Sequence, residues 1–281
     1  MTSRTTPLGA VRLLLASTHP VPSVVVTTLT TSFAWAVGLL WWQVVVVFLA
    51  MLTNQFSVGL GNDWLDVDRD IRAHRTDKPL ATGQLSLALA RNVAIGFGVA
   101  ALGFSALLGG WALACQGGIL FAGWWYNTHA KGHWSSPLSY LLGFGLMPLF
   151  PAVALSPPQL PVWWVVVVAG LLGVSAHFAN ALPDLLDDKE TSIRGLPQRV
   201  GAKRSGIVLA TGVVAATILI TAFGDSLPFG VRVLTAAFAV SAGLSAAVLA
   251  FSPTPPRIIF PLVMGSAAVS ALAIVLDMAA R

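Results

Sequence analysis

Nine apolar stretches, each close to the length that a helix needs to cross a membrane, run through the chain at approximately 23–41, 43–61, 86–108, 111–127, 137–155, 162–182, 205–223, 231–251 and 258–279. A helix rises about 1.5 Å per residue, so about 20 apolar residues cover a hydrocarbon core about 30 Å thick. In lipid every backbone N–H and C=O must find its partner within the chain, which leaves the helix as the fold for runs of this length. The fold class expected is therefore all-α and integral to the membrane. Gly109-Gly110, Pro157-Pro158 and Pro255-Pro256 mark turns between runs. Trp41-Trp42-Gln43 is the shortest break, and a count of eight spans results if no turn occurs there. Composition agrees. With 56% hydrophobic and 10% charged residues and a mean hydropathy of +0.80, there is too little polar surface to coat a soluble globule.

Cations set the expected orientation, because Lys and Arg flanking membrane segments favour the cytoplasmic side. Of the 16 Lys and Arg, all but Arg232 and Arg281 fall before the first run, in the loops after even-numbered runs or, for Arg91, near the start of the third run beside such a loop. That partition predicts a cytoplasmic N-terminus and matches an odd number of spans, with a plasma membrane as the default host. The net charge of +5, concentrated on one face, suits membrane lipid headgroups or an anionic ligand and gives no indication of nucleic acid. The N-terminal dozen residues carry no convincing signal-peptide cleavage site before the first apolar run, which is expected to stay as a membrane helix. The single cysteine, Cys115, falls inside a run and reads as a packing residue.

The 11 acids are concentrated. Asp63, Asp66, Asp68, Asp70 and Asp77 form one group, and Asp184, Asp187, Asp188 and Glu190 a second; Asp225 and Asp277 stand apart. Asn62-Asp66-Asp70 and Asn180-Asp184-Asp188 both read Asn-xxx-Asp-xxx-Asp. At about 100° per residue, steps of four drift by only about 40°, so each triplet forms a stripe on one helix face. The spacing of 118 residues between the triplets also relates Pro79 to Pro197 and Gly83 to Gly201. Two related halves are implied, each ending an even-numbered helix in an acidic stripe followed by a basic loop. Both stripes should reach the same membrane face, where facing carboxylates repel unless cations lie between them. Oxygen-only ligands select Mg²⁺ or a similarly hard ion. The surplus of neighbouring Lys and Arg fits a Mg²⁺-bridged diphosphate, with acids on the metal and cations on the remaining phosphate oxygens.

On these residues the chain resembles the UbiA superfamily of intramembrane prenyltransferases, which carries Asn-Asp-xx-Asp-xxx-Asp after its second helix and Asp-xxx-Asp after its sixth. Asn62 to Asp70 and Asp184 to Asp188 stand at those positions. Asp77-Lys78-Pro79-Leu80 with Gly83, and Gly195-Leu196-Pro197 through Gly201, are similar to the loops after the two motifs. Tyr126-Asn127 and Lys131 are similar to the Tyr and Lys that the family places near the diphosphate. Ser192 and Gly195 depart from the Gly and Thr that many members carry after the second motif.

The resemblance implies one domain over 1–281, with halves of about 1–135 and 136–281 around a central cavity and an active site at the cytoplasmic side. It implies Mg²⁺ on Asp66, Asp70, Asp184 and Asp188, assisted by Asn62. The diphosphate would be held by Lys78, Lys131, Arg72, Asn180, Arg194 and Arg199, with Asp63, Lys131 and Tyr126 as catalytic residues. Asp63 is open to two roles, third metal ligand or base for the acceptor's proton. The implied reaction transfers an isoprenyl group from a polyprenyl diphosphate to a lipophilic or aromatic acceptor through an allylic carbocation. Trp124, Trp125, Phe144 and Phe150 are expected wall residues.

Other readings stay open. A terpene cyclase on the same fold would use the same ionising residues without an acceptor. An ion-coupled transporter would also show paired acids and repeats, though its acids belong near the bilayer midplane rather than at helix ends. Asp68 is expected to face away and pair with Arg72 or Arg75. His129 and His133 read as a polar pair at the interface, and His19 and His74 as isolated. His177, inside a run, is a candidate for an acceptor pocket.

Overall fold

The computed structural model describes residues 7–185 and 194–280, and these are helical with no strand among them. The helices are α1 (Pro7–Ala16), α2 (Pro20–Ala36), α3 (Trp41–Leu65), α4 (Val67–Arg72), α5 (Leu87–Ala106), α6 (Gly110–Thr128), α7 (Ser136–Leu146), α8 (Leu149–Ala152), α9 (Trp163–Ala181), α10 (Leu196–Phe223), α11 (Phe229–Leu249) and α12 (Ile259–Ala279). Short 3₁₀ turns follow α6 at Ala130–Gly132 and α9 at Leu182–Asp184. Each of the nine apolar stretches carries a helix. Six of these (α3, α5, α9 with its 3₁₀ extension, α10, α11 and α12) are long and apolar enough to cross a membrane. The other three differ: α2 has 17 residues, α6 has 19, and the stretch 137–155 is split into α7 and α8 around Met147-Pro148. Pro148 cannot donate to the ladder, and its ring crowds the preceding turn, which accounts for the split. α1 lies before the first expected run and joins α2 at a bend of 71°.

Nine segments close into a ring by successive contacts: α2 on α3, α3 on α5, α5 on α6, α6 on α7, α7 on α9, α9 on α10, α10 on α11, α11 on α12, and α12 back on α2. The order α2-α3-α5-α6 is repeated by α7-α9-α10-α11, and α12 completes the circle. Backbone geometry supports the repeat. Gly83 and Gly201, related by the 118-residue spacing, both adopt left-handed φ (72° and 79°), the conformation that glycine takes without a Cβ clash. Gly201 kinks α10 just as Gly83 turns the chain ahead of α5.

Close helix approach in lipid depends on packing rather than on expulsion of water, and it favours small residues. The buried face of α5 is Ala90, Ala94, Gly98, Ala101 and Ser105. A Cβ on Gly98 would stand 3.0 Å from Ser57 Oγ of α3, so the two helices meet where no larger side chain fits. Ile95 and Val99 face outward, as lipid-facing residues do. Trp41, Trp111 and Trp163 are exposed at the starts of α3, α6 and α9, and Trp35 at the end of α2. All four lie at the end of the ring opposite the acids, forming the aromatic belt expected at a membrane boundary.

Candidate active site

The first acidic motif keeps its stripe although α3 formally stops at Leu65. Asp66 N–H donates to Asn62 C=O and Asp70 N–H to Asp66 C=O, both at 2.9 Å, so the helical ladder passes through the junction with α4. Asp70 is buried, Asp66 and Asn62 are half-buried, and Asp68 is exposed on the opposite side. The expected pairing of Asp68 is not seen among the described residues. Arg75 instead binds Asp77 through Nε and Nη2 at 2.9 and 2.8 Å. This bidentate contact holds the Asp77 carboxyl well below the usual carboxylate range.

Within the first motif a cation already bridges two carboxylates. Arg69 Nη2 donates to Asp66 Oδ2 at 2.8 Å and to Asp70 Oδ1 at 3.4 Å. Lys131, on the 3₁₀ turn after α6, closes onto the same Asp66 oxygen. Burial lowers the Lys131 pKa, opposed by Asp66, and burial raises that of Asp70, opposed by Arg69 and Lys78. Arg75 sits between the motifs, its guanidinium stabilised chiefly by Asp77 and further by Asp70 and Asp184.

Asp63 belongs to a different group. Its side chain is 2% exposed, and Oδ1 accepts from Lys78 Nζ at 2.5 Å and lies 2.9 Å from His19 Nε2. Lys78 is 3.3 Å from the same His19 nitrogen. His19, expected to be isolated, adopts φ 53° at the elbow between α1 and α2, a left-handed conformation uncommon for a side chain with a Cβ. The elbow presses on α3 where Gly59 leaves room: a Cβ there would stand 2.5 Å from Thr18 C=O. Asn62 Nδ2 donates to Asn127 Oδ1 at 3.1 Å, and Asn127 Nδ2 donates to Val58 C=O at 2.8 Å, tying α6 to the first motif.

The cations and amides of these groups line one end of a central cavity of about 460 Å³, whereas Asp63, Asp66 and Asp70 stand behind them and do not line it. Asn62, Arg69, Lys78 and Lys131 reach it from the first half, Asn180 and Asp184 from the second. Farther from the acids the wall is mostly apolar, with Val26, Ile119, Phe144, Met147 and Met264 beside Asn54 and Gln55, while Phe260, at the start of α12, lines the cavity near its polar end. Ile119 lies eight residues before Asn127 on α6, which is about 12 Å farther from the acids. Tyr126 lines the cavity and packs edge-on against Tyr140, with His177 beside both. His177 Nε2 lies 3.0 Å from Ser136 Oγ, which also accepts from Leu196 N–H. His177 thus joins the cavity wall.

Other expectations are redirected. Arg72 is exposed and lines a separate cleft rather than the central cavity. Arg194 and Arg199 are exposed, with Arg199 Nε donating to Arg194 C=O at 2.6 Å, and neither lines the cavity. Asp187 and Asp188 lie outside the described residues, as does Ser192. Of the four aromatic wall residues only Phe144 lines the cavity. Trp124 is held between helices by its Nε1 bond to Ser57 Oγ (3.1 Å), Trp125 stacks on Phe121, and Phe150 is buried in the packing of α2 and α3. His129 and His133 each bond a neighbouring hydroxyl, Thr128 Oγ1 and Ser135 Oγ, and share nothing.

The acids were legible from their spacing, whereas Arg69 was not singled out, His19 was read as isolated and Arg75 only as a partner for Asp68. Arg69 carried a signal, since it stands three residues after Asp66 and directly before Asp70.

Several known proteins share this architecture. A UbiA homologue from Aeropyrum pernix K1 without ligand superimposes with a TM-score of 0.73 at 18% identity, over 91% of this chain and 98% of that one. A UbiA homologue from Archaeoglobus fulgidus bound to DMAPP and Mg²⁺ gives 0.69 at 17% identity, over 93% and 98%. A digeranylgeranylglyceryl phosphate synthase gives 0.68 at 17%, over 96% and 99%. No functionally curated protein matches the chain in sequence. The family model described as the UbiA prenyltransferase family matches residues 24–255, and the chain therefore belongs to that family.

Proposed function

We propose that this protein is a Mg²⁺-dependent membrane prenyltransferase that ionises an isoprenyl diphosphate and delivers the allylic group to a lipophilic or aromatic acceptor. The observation carrying this reading is the convergence of Asn62 and Lys131 with Asn180 and Asp184 on one end of a cavity whose deeper wall is apolar. Diphosphate suits the polar end, and an isoprenoid chain suits the rest. The Archaeoglobus homologue bound to DMAPP and Mg²⁺ supports the same ligand pair.

The donor set fits a hard cation. Asp66 and Asp70 already share the Arg69 guanidinium, and the remaining donors are carboxylate or amide oxygens. Among the described residues no three His, Cys, Asp or Glu side chains gather into a complete site, and Asp188 would complete it. Asp66, Asp70, Asp184 and Asp188, with Asn62, would hold Mg²⁺. When bound, the ion would neutralise the diphosphate and make it a better leaving group. Lys131 would turn from Asp66 to the phosphate oxygens, and Asn180 would donate from the facing motif. Tyr126, Tyr140 and Phe144 would line the allylic carbon and keep water from the cation. Asp63, with Oδ1 engaged by Lys78 and His19, acts as the anchor that orients these two groups at the cavity.

We further assign nine membrane spans to the ring, one domain over 1–281 with halves of about 1–135 and 136–281, and the acidic end on the cytoplasmic side of a plasma membrane. The charge partition supports that orientation.

The test is Mg²⁺-dependent release of diphosphate from geranyl, farnesyl and geranylgeranyl diphosphates by purified protein, with and without acceptors. Conjugates formed only with acceptor establish the transferase. Release with a cyclic hydrocarbon or alcohol and no acceptor would assign a cyclase, and no release would sink both.

A further inference from the structure

Polar side chains around α3 mostly hold neighbouring backbone or one another. Trp124 Nε1 donates to Ser57 Oγ and Asn127 Nδ2 to Val58 C=O, Gln116 Nε2 donates to Ala50 C=O at 3.2 Å, and Thr53 Oγ1 donates to Leu49 C=O at 2.6 Å. Asn54 is the exception on this stretch. It is fully buried, and among the described residues neither its Oδ1 nor its Nδ2 has a hydrogen-bond partner. Gln116 and His177 each leave one buried atom unpaired but keep a bond through the other, whereas Asn54 keeps none. An amide taken out of water without a bond is costly, and lipid offers no partner to offset it. Asn54 lines the central cavity, on the wall that also holds Val26, Ile119 and Phe144. It stands eight residues before Asn62 on α3, about 12 Å farther from the acids. Gln55, next in the chain, lines the cavity too and is half-buried. An isoprenoid hydrocarbon passing this wall would leave the Asn54 amide unpaired.

We propose that Asn54 is a specificity-determining subsite that recognises a hydroxyl carried by the ligand at its end remote from the diphosphate. A carboxamide whose donors and acceptor are both free is matched by a group that accepts and donates at once, as a hydroxyl does. Gln55 offers a second amide beside it. The unbranched side chains of Met147 and Met264 on the cavity wall can shift to admit the group. Such a subsite discriminates strongly, because a ligand without the hydroxyl leaves the buried amide unpaired. Two sources fit that chemistry: an acceptor with a hydroxyl away from its reacting atom, and a prenyl chain hydroxylated near its terminus. The role of either as a substrate rests on the prenyl-diphosphate reading above.

Two ligand pairs that differ by one hydroxyl test the subsite in equilibrium titrations of the full-length protein. One pair is 2,6-dihydroxynaphthalene and 2-naphthol; the other is 8-hydroxygeranyl diphosphate and geranyl diphosphate, both with Mg²⁺. Wild type should bind the hydroxylated member of one pair about tenfold more tightly, the worth of one buried hydrogen bond. The pair in which the preference appears identifies the source. Asn54→Leu should abolish the preference and leave affinity for the unhydroxylated member unchanged, while Asn54→Ser, which keeps a hydrogen-bonding group, should retain part of it. Equal binding within both pairs by wild type, or a preference that persists in Asn54→Leu, would overturn the subsite. Should wild type release no diphosphate from any prenyl substrate, the transferase reading falls, while the titrations still decide the subsite.

Discussion

Replacing Lys78 by Met should destabilise the protein far more than replacing its partner Asp63 by Asn. The Asp63 side chain is 2% exposed and Lys78 14%, with their atoms 2.5 Å apart. Among the described residues Asp63 Oδ2 has no hydrogen-bond partner, so the carboxylate depends on Oδ1 and its two contacts. Taking one partner from a buried pair costs about 3–5 kcal/mol, because the charge left behind is uncompensated. His19 remains 2.9 Å away and keeps Lys78→Met near the lower figure. At about 2–4 °C per kcal/mol for a chain of this order, the melting temperature should fall by roughly 6–12 °C. Asp63→Asn preserves volume and leaves the Lys78 ammonium on the wall of the cavity, where water reaches it. That cost should stay near 1–2 kcal/mol, in the range for a lost hydrogen bond to a charged group. The double variant should be more stable than Lys78→Met alone, since neither charge then stands unpaired. Thermal unfolding of the three detergent-solubilised variants, followed by circular dichroism, measures all of this. A shift under about 2 °C for Lys78→Met, a larger shift for Asp63→Asn, or additivity in the double variant would refute the buried-pair argument.

Asp66→Asn and Asp184→Asn should each abolish Mg²⁺-dependent diphosphate release while leaving the helical circular dichroism spectrum intact; full activity in either removes that residue from the metal site. Gly59→Ala should lower stability by about 1–3 kcal/mol, the range for overpacking, because the new methyl meets the Thr18 backbone at 2.5 Å; an unchanged melting temperature would mean that the elbow moves freely. The Arg75–Asp77 pair should contribute at most about 1 kcal/mol, since Asp77 is 58% exposed. Its carboxyl is depressed in the folded state, so the contribution is present above the unfolded value of about 4 and fades as pH falls through the folded one. The stability gap between wild type and Asp77→Asn should therefore close only in strong acid, and a gap that instead widens below pH 4 would refute the assignment.

What the sequence made legible follows from period and spacing. Apolar runs of membrane length dictate helices whatever their neighbours do, and the 118-residue offset relates Gly83 to Gly201, which share a left-handed backbone conformation. Hydropathy alone could not divide 137–155, because the apolar run is continuous there and the division comes from Pro148. Nor could it reveal α1, whose 10 residues are too short to register as a span. In the site, carboxylates were readable because acids are scarce in such a chain and their spacing repeats. Cations were not, because orientation and ligand binding call for the same residues on the same face. Arg72, Arg194 and Arg199 were indistinguishable from Lys78 and Lys131 until the fold placed only the latter two on the cavity.

The site's asymmetry follows from how the two halves are closed. In the first half, α4 continues the α3 ladder, so Asp66 and Asp70 stay on one stripe and take Arg69 as a shared cation. In the second, Pro183 follows Asn180 and the chain tightens into a 3₁₀ turn over Leu182–Asp184, which changes the residue-to-residue rotation from about 100° to about 120°. Asp184 therefore cannot repeat the position of Asp66 relative to its own helix, even though the spacing in sequence is identical. Two motifs of one pattern thus meet the same cavity at different angles.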